Sequence, residues 1–85
     1  MKSWSDLATQ PLDKKITALY EHAQFVMAIR YYHYKVNLYL LGDDYVEVFV
    51  KHKDASIERI TLLDRRHTRM NFYSDQIKLS LNSHK

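Results

Sequence analysis

From Tyr31 to Lys53 the chain runs in two alternating segments around Gly42, its only glycine. An alternation of period two is the pattern of a β-strand with two different faces. In the first segment Tyr32, Tyr34, Val36, Leu38 and Leu40 share one parity, while Tyr31, His33, Lys35, Asn37, Tyr39 and Leu41 share the other. The second segment repeats the arrangement, with Val46, Val48 and Val50 against Tyr45, Glu47, Phe49 and Lys51. Matching the two aliphatic sets requires even residues to pair with even ones, because a slip of one residue turns every side chain over. A loop of Gly42, Asp43 and Asp44 does this, setting Leu40 against Val46, Leu38 against Val48 and Val36 against Val50. A loop of Gly42 and Asp43 alone would set Leu38 against Glu47 and Leu40 against Tyr45. The longer loop is therefore expected, with the aliphatic set as the core face and Glu47 on the mixed face. On that reading Val48→Asp unfolds the protein and Glu47→Lys is much milder.

A third strand, Ile57–Leu63, is expected after the polar turn Lys53 to Ser56, but its alternation is irregular and its register stays open. Upstream, Leu12, Ile16, Leu19, Tyr20, Ala23, Val26 and Met27 fall at helical spacing, and Pro11 suits a helix start. This predicts an amphipathic helix over about residues 11–30. After Asp64, a good N-cap residue, Arg66, Met70, Tyr73 and Ile77 recur at helical spacing, whereas Ile77, Leu79 and Leu81 alternate like a strand. A short helix over about 65–75 and an extended tail are expected. The predicted fold is α+β: an N-terminal arm (1–10), an amphipathic helix (11–30) packed on a three-stranded antiparallel β-meander (31–64), and a short basic C-terminal helix with its extended tail (65–85).

Eighty-five residues hold one domain, and 46% hydrophobic with 13% aromatic residues argue for a packed globule. The absence of cysteine rules out disulfides, thiolate metal sites and cysteine nucleophiles. No apolar stretch has the length of a signal peptide core or a membrane span, so a soluble cytoplasmic protein is expected. The net charge of +3 is uneven, with residues 65–85 carrying five bases and one acid while residues 31–64 carry four bases and six acids. Such asymmetry can steer an anionic partner or pair the tail with the sheet.

Candidate chemistry is sparse. His22, His33, His52, His67 and His84 form no metal-binding spacing, and no cofactor is implied. Asp43 and Asp44 sit at a turn tip, where turn formation explains them better than acid–base work. No glycine-rich loop or nucleophile motif exists, so the chain is not expected to be an enzyme. Arg65, Arg66 and Arg69, with His67, form a basic cluster fitted to anion binding. The expected order of helix, three strands and helix resembles that of the double-stranded-RNA-binding domain, whose lysine-rich second-helix entry and glycine-bearing loop this chain lacks. Tyr31, Tyr39, Tyr45 and Phe49 form an aromatic face that is either covered by the C-terminal segment or an interface. Trp4 either plugs a gap beside a helix or crosses such an interface. With an unblocked sheet edge, these features lead to a homodimeric, non-enzymatic interaction module, with nucleic-acid or polyanion binding through the basic C-terminal segment as the alternative.

Overall fold

Residues 24–31 decide the architecture. Phe25, Val26, Ile29 and Tyr31 are β-branched or aromatic, types that lose side-chain freedom in a helix and pack well on a pleated surface. In the computed structural model, which describes residues 3–64, 66 and 69–73, this stretch is a strand. Helix α1 (Trp4–Leu7) and helix α2 (Leu12–His22) precede β1 (Gln24–Tyr31), β2 (Tyr34–Leu41), β3 (Asp44–Lys51) and β4 (Ile57–Leu62). The four strands form an antiparallel meander in the order β1-β2-β3-β4. A shift in register between Phe25 and Met27 marks a bulge at Val26. The extra residue breaks the two-residue period, so Val26 and Met27 read as the end of the preceding helix in the sequence alone. The fourth strand corrects the expected three-stranded sheet, and α2 stops at His22. It also removes the element order shared with the double-stranded-RNA-binding domain.

The hairpin β2–β3 takes the two-residue loop, Gly42 and Asp43, and not the three-residue one. Leu38 stands opposite Glu47, Leu40 opposite Tyr45 and Val36 opposite Phe49. Gly42 has φ 61, and Asp43 is not among the positive-φ residues, an arrangement that places glycine where a II′ turn needs it. The aliphatic residues of the two strands therefore lie on opposite sides of the sheet. Both sides are core because both are covered.

On one side α1 and α2 pack over Leu41, Val46, Val48 and Ile60 through Leu7, Ala18 and Leu19, with Trp4, Ala23, Tyr39, Val50 and Ile57 around them. The expected arm is thus partly helical, and Trp4 packs within its own chain. Its backbone N–H donates to the Asp44 carboxylate at 3.1 Å, which ties α1 to the β2–β3 turn. On the other side Leu38, Leu63 and Tyr73 form a second cluster with Met27, Ile29, Tyr45 and Met70. Residues 70–73 make a helical turn that lies over this side. Arg66 and Arg69, expected within the C-terminal helix, are in turns, and the remaining residues of that helix and the extended tail lie outside the described residues. Strand β4 pairs Val48 with Ile60 and Phe49 with Arg59, then slips by a bulge so that Val50 meets Ile57. No described helix is long and apolar enough to cross a membrane.

Candidate functional site

Glu47 is the only charged residue between Asp44 and Lys51, and the two-residue turn puts it on the side covered by the C-terminal segment. It is fully buried. A lone carboxylate there would cost several kcal/mol, so a partner of opposite charge is required. Arg69 supplies it: Nε donates to Oε2 at 2.9 Å and to Oε1 at 3.2 Å, and Nη2 donates to Oε1 at 2.9 Å. The Tyr73 hydroxyl donates to Oε2 at 2.9 Å. Both carboxylate oxygens are therefore occupied by donors on one helical turn. Glu47 raises the Arg69 guanidinium above its ordinary value through these hydrogen bonds. Burial, followed by the Glu47 charge, pushes the Tyr73 hydroxyl far above the usual phenol range. This is a closed ionic clamp and leaves no oxygen for proton transfer. Every buried side-chain polar atom among the described residues has a hydrogen-bond partner.

Cations and rings extend from the clamp toward one end of the sheet. The Arg69 guanidinium lies 5.2 Å from the Phe49 ring centre and 5.3 Å from that of Tyr31, and Arg59 lies 3.9 Å from Phe49. Phe49 thus lies within cation–π range of two guanidinium groups, a favourable use of the ring quadrupole. The Tyr34 hydroxyl donates to Glu58 at 2.7 Å, and Arg59 donates to the same carboxylate at 3.0 Å. At this end the β1–β2 turn meets the loop after β3, where the His52 N–H donates to the His33 carbonyl at 3.2 Å. Between them is a shallow depression of about 680 Å³ lined by His33, Lys51, His52, Lys53 and Glu58.

The helix side is less complete. Only Ala18 and Leu19 of α2 are buried. Ile16, Tyr20, Tyr39 and Ile57 border an apolar groove of about 90 Å³ whose floor is Leu19, Val48 and Ile60. Tyr20 is 91% exposed and Phe25 54%. Phe25 meets Tyr39 edge to face at 5.6 Å, which carries the apolar surface on to the β1 edge.

The residues expected to form an interface are therefore divided. Tyr45 and Phe49 are on the clamp side with Tyr31, whereas Tyr39 lies on the helix side, as the two-residue turn demands. Of the basic cluster, Arg69 is committed to Glu47, Arg66 is exposed with its N–H donating to Asp64 at 2.9 Å, and Arg65 lies outside the described residues. The clamp itself was not anticipated. Its signal was a single acid inside the apolar run Val46–Val50, which demands a cation from elsewhere in the chain. Among the described residues no group of three His, Asp or Glu is placed to hold a metal ion.

No family model matches this chain, and neither a curated protein nor a solved structure matches it at a significant level.

Proposed function

We propose that this protein is a small, non-enzymatic interaction module that works as a homodimer. The observation that carries the reading is the half-covered helix side, where the groove bordered by Ile16, Tyr20, Tyr39 and Ile57 runs through Phe25 to the edge of β1. Exposed apolar surface continuous with an unpaired strand edge is what an interface presents before assembly. The other edge, β4, carries Glu58 and Arg59 and a bulge opposite Phe49–Val50, features that discourage pairing.

Charge favours a second copy of the chain as the occupant. Asp43, Asp44 and Asp64, with Arg66 among them, lie at the end of the sheet where β1 begins, and Arg30 and Lys35 stand where it ends. A two-fold axis that runs β1 antiparallel to its copy brings each acidic end beside the partner's basic end. Met27 to Tyr31, the regular part of the strand beyond the bulge, is the segment available for such pairing. Complementary ends of this kind set orientation more than affinity.

Sedimentation equilibrium tests the reading. A mass of two 10.2 kDa chains is expected at micromolar concentration, and replacing Tyr20 and Phe25 together by serine shifts it toward one chain without unfolding. A single-chain mass that persists to hundreds of micromolar overturns it.

A further inference from the structure

We infer that the end of the sheet formed by the β1–β2 turn and the loop after β3 binds a short single strand of nucleic acid, with Tyr32 as its stacking platform. The site is separate from the helix-side groove and from Arg66, and it meets Arg69 only through the Tyr31 ring.

The inference starts from the backbone. Both tight hairpins use two-residue loops, and in both the first loop residue has a positive φ, 61° at Gly42 and 56° at Tyr32. Glycine accepts this at no steric cost, whereas a tyrosine in the left-handed region is an outlier. Strain of this kind persists where surrounding structure enforces it and clusters at binding sites. What it achieves here is projection of the Tyr32 ring, which is 80% exposed. Such a ring adds nothing to the core.

The surroundings of the ring match a nucleotide. Tyr31 meets Tyr32 edge to face at 4.7 Å and Phe72 at 5.7 Å, so three rings run in series, and Phe72 is itself 55% exposed. On the other flank the rings of His33 and Tyr34 lie 4.2 Å apart. The depression beside them offers Lys51, Lys53, His33 and His52 for phosphate oxygens. Of the carboxylates facing its cations, Glu58 is already occupied by Tyr34 and Arg59, and Asp54 by the Ser56 N–H and hydroxyl, which reduces repulsion of an anion. Exposed rings interleaved with cations are the minimum set for single strands, because every base has a π-face and every nucleotide a phosphate. A duplex keeps its bases stacked inside and offers Tyr32 nothing.

Fluorescence anisotropy of a labelled ten-residue thymidine oligonucleotide tests this on the full chain. Saturable binding that weakens with salt is expected, together with weaker binding of the matching duplex. Tyr32→Ala lowers affinity about fivefold or more, the range for loss of one stacked base. Lys51→Gln with Lys53→Gln flattens the salt dependence by about 0.7 in slope for each phosphate no longer neutralised. Arg66→Gln, at the opposite end of the sheet, leaves binding unchanged. Circular dichroism and thermal melting establish that each variant is folded. Absence of saturable binding at hundreds of micromolar overturns the inference, as does unchanged binding by the folded Tyr32→Ala and Lys51→Gln/Lys53→Gln variants. Competition by inorganic polyphosphate that is equally effective on Tyr32→Ala and wild type overturns it as well.

Discussion

The two sides of the sheet are closed by different physics. On the helix side the seal is apolar apart from the Trp4 N–H to Asp44 hydrogen bond, formed by Leu7, Ala18 and Leu19 over Leu41, Val46, Val48 and Ile60. It is non-directional, tolerates a loose fit at its margin, and leaves Ile16 and Tyr20 outside. On the clamp side a few residues of the C-terminal segment close over Leu38, because Arg69 and Tyr73 converge on one buried carboxylate. Hydrogen bonds to an ionised group need defined distances and angles, so they fix where that segment sits. An apolar seal can be left partly open as a surface for a partner. An ionic clamp works only when it is complete.

The sharpest break of this contrast is at Glu47. Glu47→Gln keeps the shape but leaves the Arg69 charge without its counterion, at an expected cost of about 3–5 kcal/mol. Glu47→Lys sets two cations together in the interior and is expected to abolish folding, reversing the mild effect anticipated for an outward residue. Val48→Asp on the opposite side should match it, since Val48 is 5% exposed and an unpaired acid there has no arginine to meet. Urea melts followed by circular dichroism compare the three, and a Glu47→Gln melt indistinguishable from wild type would mean that the clamp adds no stability.

A smaller effect distinguishes the clamp side through pH. Burial and the Glu47 charge raise the Tyr73 hydroxyl above its unfolded value, so the folded state resists losing that proton. The associated stability is fully present below the ordinary tyrosine range, about pH 10, and is lost as pH rises beyond it. Tyr73→Phe is expected to cost about 1 kcal/mol near neutral pH and to soften the alkaline fall in stability. A fall of the same steepness in wild type and variant would assign that loss to other groups.

The smallest effect belongs to the margin of the helix side. Tyr20→Ser removes a ring that is 91% exposed, so thermal melting of dilute protein should shift by no more than about 0.5 kcal/mol. The same substitution should weaken self-association in sedimentation. A large loss of stability with unchanged mass would place Tyr20 in the core of its own chain.

The sequence by itself determined that the chain is α+β, that an amphipathic helix begins near Pro11, and that β2, β3 and β4 form a meander on which this helix packs, although it extended the helix to about residue 30 where the structure ends it at His22. These follow from local periodicity, which backbone geometry converts directly into faces. Periodicity failed at β1 because one inserted residue at Val26 interrupts it, and a bulge becomes visible only against the partner strand. It failed at the β2–β3 turn for a related reason. Pairing valines with leucines looked best for two strands considered alone, yet the tertiary structure covers both sides of the sheet, so no side had to collect every aliphatic residue. Glu47 completed the choice: the shorter loop puts it beneath Arg69 and Tyr73, residues 22 and 26 positions away, and no local pattern records a partner that distant. Tyr32 is the converse case. Its strained backbone and its projecting ring come from the hairpin closure, and the tyrosine itself gives no local sign of either.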